Sequence, residues 1–192
     1  LNFCTVELSA FYFDIRKDLL YCDPLDSKKR SECILVLNII LNCLLKWFAP
    51  ILSFTTEEIY RLINKEEENS IHLKNFIEIP ENWKNEELNS NWEKIKKIRD
   101  EANISIESQR ASKAIGSSLE ADIQIKLKKN YYNIAKNNDF SEICITSSAS
   151  VTQDDKIKED IKVISKKAEG TKCPVCWKIS KSNCKRHGHL TN

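Results

Sequence analysis

The sequence predicts a mainly α protein: a helix bundle over residues 1–112, a small α+β unit over 113–168, and a short cysteine-bearing tail over 169–192. Three observations carry this. Apolar residues recur at helical spacing through most of the first 110 or so positions. The period falls to two between Ala121 and Leu127. The tail then gathers three Cys and a His into two close pairs while offering very few apolar side chains.

The elements follow in chain order. Phe3, Val6, Phe11, Ile15 and Leu19 mark an amphipathic helix over residues 3–20, broken at Asp23-Pro24. Asp26 or Ser27 can cap a second helix that runs to about Pro50. Asn38, Asn42 and Lys46 draw one polar stripe along it, and its uninterrupted apolar runs are shorter than the ~20 residues of a membrane span. It is therefore expected as the central helix of a bundle, covered on most sides, with no membrane partner. Thr55 and Glu58 read as a capping box that opens a third helix through about Ile63. Ile71-His72-Leu73 reads as extended. Leu88 to about Arg110 is a long helix with Trp92, Ile95, Ile98, Ala102 and Ile106 on one face. Ala121, Ile123, Ile125 and Leu127 alternate with polar residues as a half-buried strand. Tyr131 to Lys136 is a short helix. Ile143 and Ile145 mark a second strand, residues 152–160 a loop, and Ile161 and Val163 a third strand.

Composition narrows the function classes. Hydrophobic residues at 41% and charged residues at 30% describe a cored chain and exclude a wholly disordered one. Three Gly leave nothing from which to build a glycine-rich phosphate loop. Without Met, and starting Leu1-Asn2-Phe3, the sequence reads as a piece of a longer protein. Charge is asymmetric: residues 165–192 hold seven Lys/Arg against Glu169, whereas residues 1–164 carry a net −4. A basic tail on a mildly acidic body suits a polyanionic partner, and equally a solvated tail. Cys4, Cys22, Cys33, Cys43 and Cys144 stand singly in apolar stretches, as small buried hydrophobes do, which points to a reducing, cytoplasmic setting.

Cys173-Pro174-Val175-Cys176 is C-x2-C, and Cys184-Lys185-Arg186-His187 is C-x2-H, with seven residues between the pairs. Zinc takes four N/S ligands in a tetrahedron, which two tight knuckles can supply. Val175, Trp177, Ile179 and Leu190 are the only sizeable apolar groups from 170 onward, too few to offset backbone entropy of ~1–2 kcal/mol per residue. Metal binding can make up that deficit. The expected ligands of one structural Zn2+ are Cys173, Cys176, Cys184 and His187, with His189 open as the alternative fourth. A closed Cys3His site leaves no coordination position for catalysis. A redox reading of Cys-Pro-Val-Cys lacks the βαβ setting it needs. Trp177, set among Lys172, Lys178, Lys181, Lys185 and Arg186, can stack on an unpaired base or pack over the knuckle.

Several stretches resemble bacterial isoleucyl-tRNA synthetases. Asn2-Phe3-Cys4-Thr5-Val6-Glu7-Leu8 with Phe11-Tyr12-Phe13-Asp14-Ile15-Arg16-Lys17-Asp18 is similar to the opening of their anticodon-binding domain. Trp47-Phe48-Ala49-Pro50-Ile51-Leu52-Ser53-Phe54-Thr55 is similar to a later stretch of that domain. Arg110-Ala111-Ser112-Lys113 with Ile115-Gly116-Ser117-Ser118-Leu119-Glu120-Ala121 resembles the turn into their small C-terminal unit. Lys167-Ala168-Glu169-Gly170-Thr171-Lys172-Cys173-Pro174-Val175-Cys176-Trp177 resembles the approach to their zinc finger. The family usually closes its finger with a second Cys-x2-Cys after a longer spacer; here the spacer is short and His187 takes the last place.

The resemblance implies a class I synthetase anticodon-binding helix bundle, and a ligase that joins isoleucine to its tRNA using ATP. It also implies that upstream catalytic and editing domains hold the chemistry, with ATP and Mg2+. No catalytic residue is expected here, since the "HIGH" and "KMSKS" signatures are absent. The implied partner is the anticodon stem-loop of isoleucine tRNA, bound by a monomer. Contacts are expected at Arg110, Lys113, Trp177, Lys178 and Arg186, while Lys28, Lys29 and Arg30 suit a solvated helix face better. The alternatives are a free-standing zinc-containing nucleic-acid-binding module, like the finger of a DNA glycosylase, or a helical protein-interaction domain whose finger is a staple.

Overall fold

The structure, a computed structural model, describes residues 2–65 and 69–188. It is mainly helical, with one small sheet and a two-stranded hairpin. Its Cα packing separates two compact units, residues 24–84 and residues 1–23 with 85–192. This cuts across the chain-order division at 112 and 168, because the first and last helices of the expected bundle pack with the sheet.

In the larger unit the chain opens with π-type turns over Phe3–Phe13 and continues as helix α1, Asp14–Cys22. Nothing in the sequence explains the wider turns. The long helix of this unit spans Glu86–Ala111; it is labelled α4, after two helices of the smaller unit. Asn85 caps it, its Oδ1 accepting the Leu88 N–H at 2.8 Å, and Glu86 and Glu87 sit favourably at its positive end. Ile95, Ile98, Ala102 and Ile106 are buried, on the expected face. The seam between the first helix and α4 is polar and aromatic. Phe11 meets Trp92 edge-on at 6.0 Å, Lys96 pairs with Glu7 at 2.7 Å, and Arg99 reaches Asp14 at 3.2 Å.

The sheet has the order β2-β1-β3. Strand β1, Ala121–Leu127, runs parallel to β2, Ser148–Gln153, and antiparallel to β3, Ile161–Lys167. Ala121, Ile123, Ile125 and Leu127 are fully buried, as the period-two reading expects. They share a core with the α4 face and with Ala135, Phe140, Ile143 and Cys144. Between the strands lie α5, Lys129–Ala135, and α6, Phe140–Ile143.

The second strand expected at Ile143 and Ile145 is corrected. Asp139 Oδ1 accepts the Ser141 and Glu142 N–H groups, so a helical turn forms and buries Phe140 and Ile143. Ile145 takes a left-handed φ of 54°, which ends that turn. The strand starts three residues later, at Ser148, in a segment so polar that its last two residues read as loop.

In the smaller unit α2 spans Lys28–Phe48 and α3 spans Ser53–Ile63. Ser27 caps α2, accepting the Arg30 N–H. Leu45, Ala49, Tyr60 and Ile71 form this unit's core. Helix α2 is long and apolar enough by composition to cross a membrane, with a mean hydropathy of 1.6 over 18 residues. Only 17% of that window is buried, and Leu35 and Trp47 are exposed, so the cover expected on most sides is not found. Two further local readings are corrected. Helix α3 starts at Ser53, before the expected cap at Thr55, because Thr56 Oγ1 donates back to the Leu52 carbonyl and holds the earlier turn. Ile71-His72-Leu73 is a 3-10 turn: Glu57 accepts from the Ser70 hydroxyl at 2.7 Å and the Ile71 N–H at 3.0 Å.

Ile125 has no exposed surface and faces α4 from the central strand. Replacing it with Ala should cost ~2–5 kcal/mol, since the site cannot collapse around the cavity. Urea unfolding followed by Trp fluorescence measures this. A loss below about 1 kcal/mol would show that β1 is not the keystone of the core.

Candidate metal centre

After β3 the chain turns at Gly170 into a hairpin of β4, Thr171–Lys172, and β5, Ile179–Ser180. Gly170 has φ +124°, and a Cβ there would collide with the Ser180 carbonyl. Only glycine accepts both conditions. Between β4 and β5 the knuckle Cys173-Pro174-Val175-Cys176 closes with Trp177 N–H donating to the Cys173 carbonyl at 3.0 Å and Cys173 N–H donating to that of Lys178 at 2.9 Å. Trp177 adopts a left-handed φ of 62° to reverse the chain. A second turn places Cys184 and His187, with the Gly188 N–H returning to the Cys184 carbonyl at 2.8 Å.

These turns bring four ligand atoms, the sulfurs of Cys173, Cys176 and Cys184 and Nδ1 of His187, within 4.8 Å of one another. Cys176 Sγ lies 3.8 Å from Cys184 Sγ, and His187 Nδ1 lies 3.6 Å from Cys173 Sγ and 3.5 Å from Cys184 Sγ. A tetrahedral ion with bonds of ~2.3 Å to sulfur and ~2.0 Å to nitrogen requires S···S of ~3.8 Å and S···N of ~3.5 Å. These three spacings match those edges and the remaining pairs lie within 4.8 Å, so this Cys3His group could hold a metal ion. Nε2 of His187 lies 2.8 Å from the Cys22 carbonyl. A carbonyl only accepts, so Nε2 carries the proton, and Nδ1, beside the Cys173 and Cys184 sulfurs, keeps its lone pair for an ion held between them. His189 lies outside the described residues.

Electrostatics fit a cation. Burial raises the Cys173 thiol, yet the N–H groups of Cys176 and Val175 and its neighbours Cys176 and His187 bring it down to about 6. Cys176 is pushed up to about 12, by burial first and then by the Cys173 and Cys184 sulfurs. Crowded sulfurs thus cannot all ionise unaided, and a bound cation inverts that balance.

The other sequence-predicted residues fall in three places. Arg110 and Lys113 sit at the exposed end of α4, with Arg110 paired to Glu107 at 2.7 Å and Lys113 in a left-handed turn, φ 58°. Trp177 is exposed with Lys172 Nζ 5.5 Å from its ring, so it is not the knuckle's core. Lys178 lines a groove of 620 Å³ between knuckle and sheet, as do Lys166, Lys172, Lys181, Lys185 and Arg186, against Asp122, Asp139 and Glu169. Arg186 is engaged within the protein: Nη1 lies 2.7 Å from Asp18 and Nε 2.8 Å from Asp23. Sequence reasoning passed over Asp18, Asp23 and the Cys22 carbonyl. The available signal was a helix end flanked by two acids with no basic residue in its last turn, which its own dipole disfavours.

Residues 1–125 match the family profile described as the anticodon-binding domain of tRNA ligase. The chain is 64% identical over 187 residues to an isoleucine–tRNA ligase of Pelagibacter ubique, covering 97% of this chain and 20% of that protein. Isoleucine–tRNA ligases of Agrobacterium fabrum and Bartonella henselae are 44% and 43% identical over 189 residues, each match covering 94% of this chain and 19% of the relative. The chain thus spans about one-fifth of the length of these relatives.

Gly170→Ala should break the hairpin that carries Cys173 and Cys176, because no backbone relaxation clears the Ser180 carbonyl while keeping φ positive. Metal content by mass spectrometry of the native protein should fall relative to the unsubstituted chain, with helix content by circular dichroism kept. Full metal retention would show that β4 and β5 do not set the ligand geometry.

Proposed function

The chain belongs to the family of anticodon-binding domains of tRNA ligases, and from that premise we propose that it is the tRNA-binding part of an isoleucine–tRNA ligase. The observation that carries the reading is 64% identity to one such ligase along nearly the whole chain, the knuckle included. The reaction proposed for the longer protein is ATP-dependent attachment of isoleucine to its tRNA in the cytoplasm. Catalytic and editing domains would carry it out, with ATP and Mg2+, on residues not in this chain. The role here is to bind the anticodon stem-loop of isoleucine tRNA, acting as a monomer.

Loop bases can be splayed and stacked on aromatic side chains while Lys and Arg hold phosphates. The proposed contacts are Trp177 and Lys178 on the knuckle and Arg110 and Lys113 at the end of α4. Arg186, the fifth residue of that set, is better placed to brace the knuckle against Asp18 and Asp23. For the metal we propose Zn2+, held by Cys173, Cys176, Cys184 and His187. Four filled positions make it structural: bound zinc supplies folding free energy to a tail without a core of its own. The sequence division into 1–112, 113–168 and 169–192 is kept as a proposal about recognition roles rather than packing. The comparisons lend no support to a glycosylase-like module or a protein-interaction domain.

Two measurements test this. Purified chain should carry one zinc by atomic absorption, lost in Cys184→Ser and in His187→Ala; a content near zero under reducing conditions would remove the site. An isoleucine anticodon stem-loop should bind with a steep salt dependence, and Lys113→Ala and Lys178→Ala should each lower the log–log slope by about 1. Binding that stays flat from low to moderate salt, or equal binding of an unrelated stem-loop, would overturn the RNA reading.

A further inference from the structure

We propose that the end of α1 is a built outer shell of the metal centre: Asp18 and Asp23 position the second knuckle through Arg186, and the Cys22 carbonyl orients His187. This rests on the reading of the Cys3His cluster as a metal centre. Three contacts made by two adjacent residues carry it. Arg186 Nη1 meets Asp18 Oδ2 at 2.7 Å, Arg186 Nε meets Asp23 Oδ1 at 2.8 Å, and His187 Nε2 meets the Cys22 carbonyl at 2.8 Å.

Each side of this junction lacks something that the other supplies. The last carbonyls of a helix have no partner within it, and α1 ends at Cys22. Its final turn holds no basic residue, and Asp18 and the C-cap Asp23 both oppose the negative end of the helix dipole. Arg186 compensates both carboxylates, and the His187 N–H satisfies a carbonyl. In return, the turn that carries Cys184 and His187 gains a rigid support, which its own sequence cannot build. The carboxylates themselves are well sheltered, with side chains 15% and 12% exposed, so these ion pairs are not loose surface contacts.

A ligating imidazole bound through Nδ1 needs its Nε2 proton held, and the Cys22 carbonyl holds it. Linkage then makes the effect reciprocal: if the end of α1 raises metal affinity, metal must stabilise the end of α1 by the same factor. The metal would thereby fix where Trp177 and Lys178 stand relative to a helix some 150 residues earlier in the chain.

The test uses the full chain, with zinc affinity measured by competition against a chromophoric chelator and amide exchange measured with and without zinc. Asp18→Asn/Asp23→Asn keeps the shapes and removes the charges, and should weaken zinc by about 10-fold or more. Arg186→Gln should weaken it similarly, and the triple variant should be no worse than Arg186→Gln alone, because the carboxylates act through that guanidinium. Asp14→Asn removes an α1 carboxylate that pairs instead with Arg99, and should leave affinity unchanged. Zinc should slow amide exchange at residues 19–23 in the unsubstituted chain and lose that effect in Asp18→Asn/Asp23→Asn. Zinc affinity within about twofold of the unsubstituted chain in Asp18→Asn/Asp23→Asn, or simple addition of its effect to that of Arg186→Gln, overturns the inference. An unsubstituted chain that binds no zinc overturns the metal reading beneath it.

Discussion

The larger unit is organised by the position of β1 between two different partners. A strand with a neighbour on each edge must satisfy both ladders in one register, and β1 does so in parallel with β2 and antiparallel with β3. Its four core residues then have one fixed face to occupy, and a slip by one residue would send Asp122, Gln124 and Lys126 into the core instead. Helix α4 covers that face with Ile98, Ala102 and Ile106. The β3 side is locked to it by a polar pair: the Ser165 hydroxyl donates to the Ser105 carbonyl at 2.8 Å, and Ser105 Oγ accepts the Ser165 N–H at 3.1 Å. The knuckle hangs from the same sheet, since the Ile179 N–H donates at 2.6 Å to Ser147 Oγ, which itself bonds the Leu119 carbonyl.

Arg99 shows how the first helix is drawn into this unit instead of joining α2 and α3. From the middle of α4 its guanidinium reaches Asp14 in α1, the Ile143 carbonyl at the end of α6 at 3.0 Å, and the face of Phe11 at 5.4 Å. Its side chain is 14% exposed, so the charge is sheltered enough for these contacts to carry weight. The same guanidinium counters, in part, the burial that pushes the Cys144 thiol up to about 12. Three helices therefore share one cation, and the chain segments that supply them lie far apart in sequence.

What could be read from the sequence was whatever has a period or a pair spacing. The α4 face, the alternation of β1 and a cap at Asp26 or Ser27 announce themselves locally, and the structure buries those faces and makes Ser27 the cap; the paired spacing of Cys173, Cys176, Cys184 and His187 is equally local, and the four side chains do come together. What could not be read depends on partners distant in sequence. Strand β2 has little apolar content because it lies at the sheet edge, with only Ala149 and Val151 packed on the core. Ile143 and Ile145 carry strand-like residues, yet the Asp139 cap and the burial of Phe140 override them. Arg186 reads as a free cation in a basic tail, since nothing nearby in sequence discloses Asp18.

That last case bears on how a basic tail should be interpreted. Much of its charge is met inside the protein: Lys166 by Asp122, Lys181 by Glu169, and Arg186 by Asp18 and Asp23. Glu120 goes further, because it joins the two places proposed to meet RNA. Its carboxylate accepts the Gly116 N–H at 3.0 Å, in the turn after Lys113, and lies 3.8 Å from Lys172 Nζ, which stands over the Trp177 ring. The Gly116 N–H holds the Glu120 carboxyl below its usual range, against burial and with help from Lys172, so the bridge stays charged. A surface whose aromatic and cationic groups are already spaced by such internal bonds gives up less freedom when a ligand arrives. Net charge alone therefore overstates how much of the tail is available to a polyanion, and the way Glu120 holds Lys172 over Trp177 is the better guide to recognition.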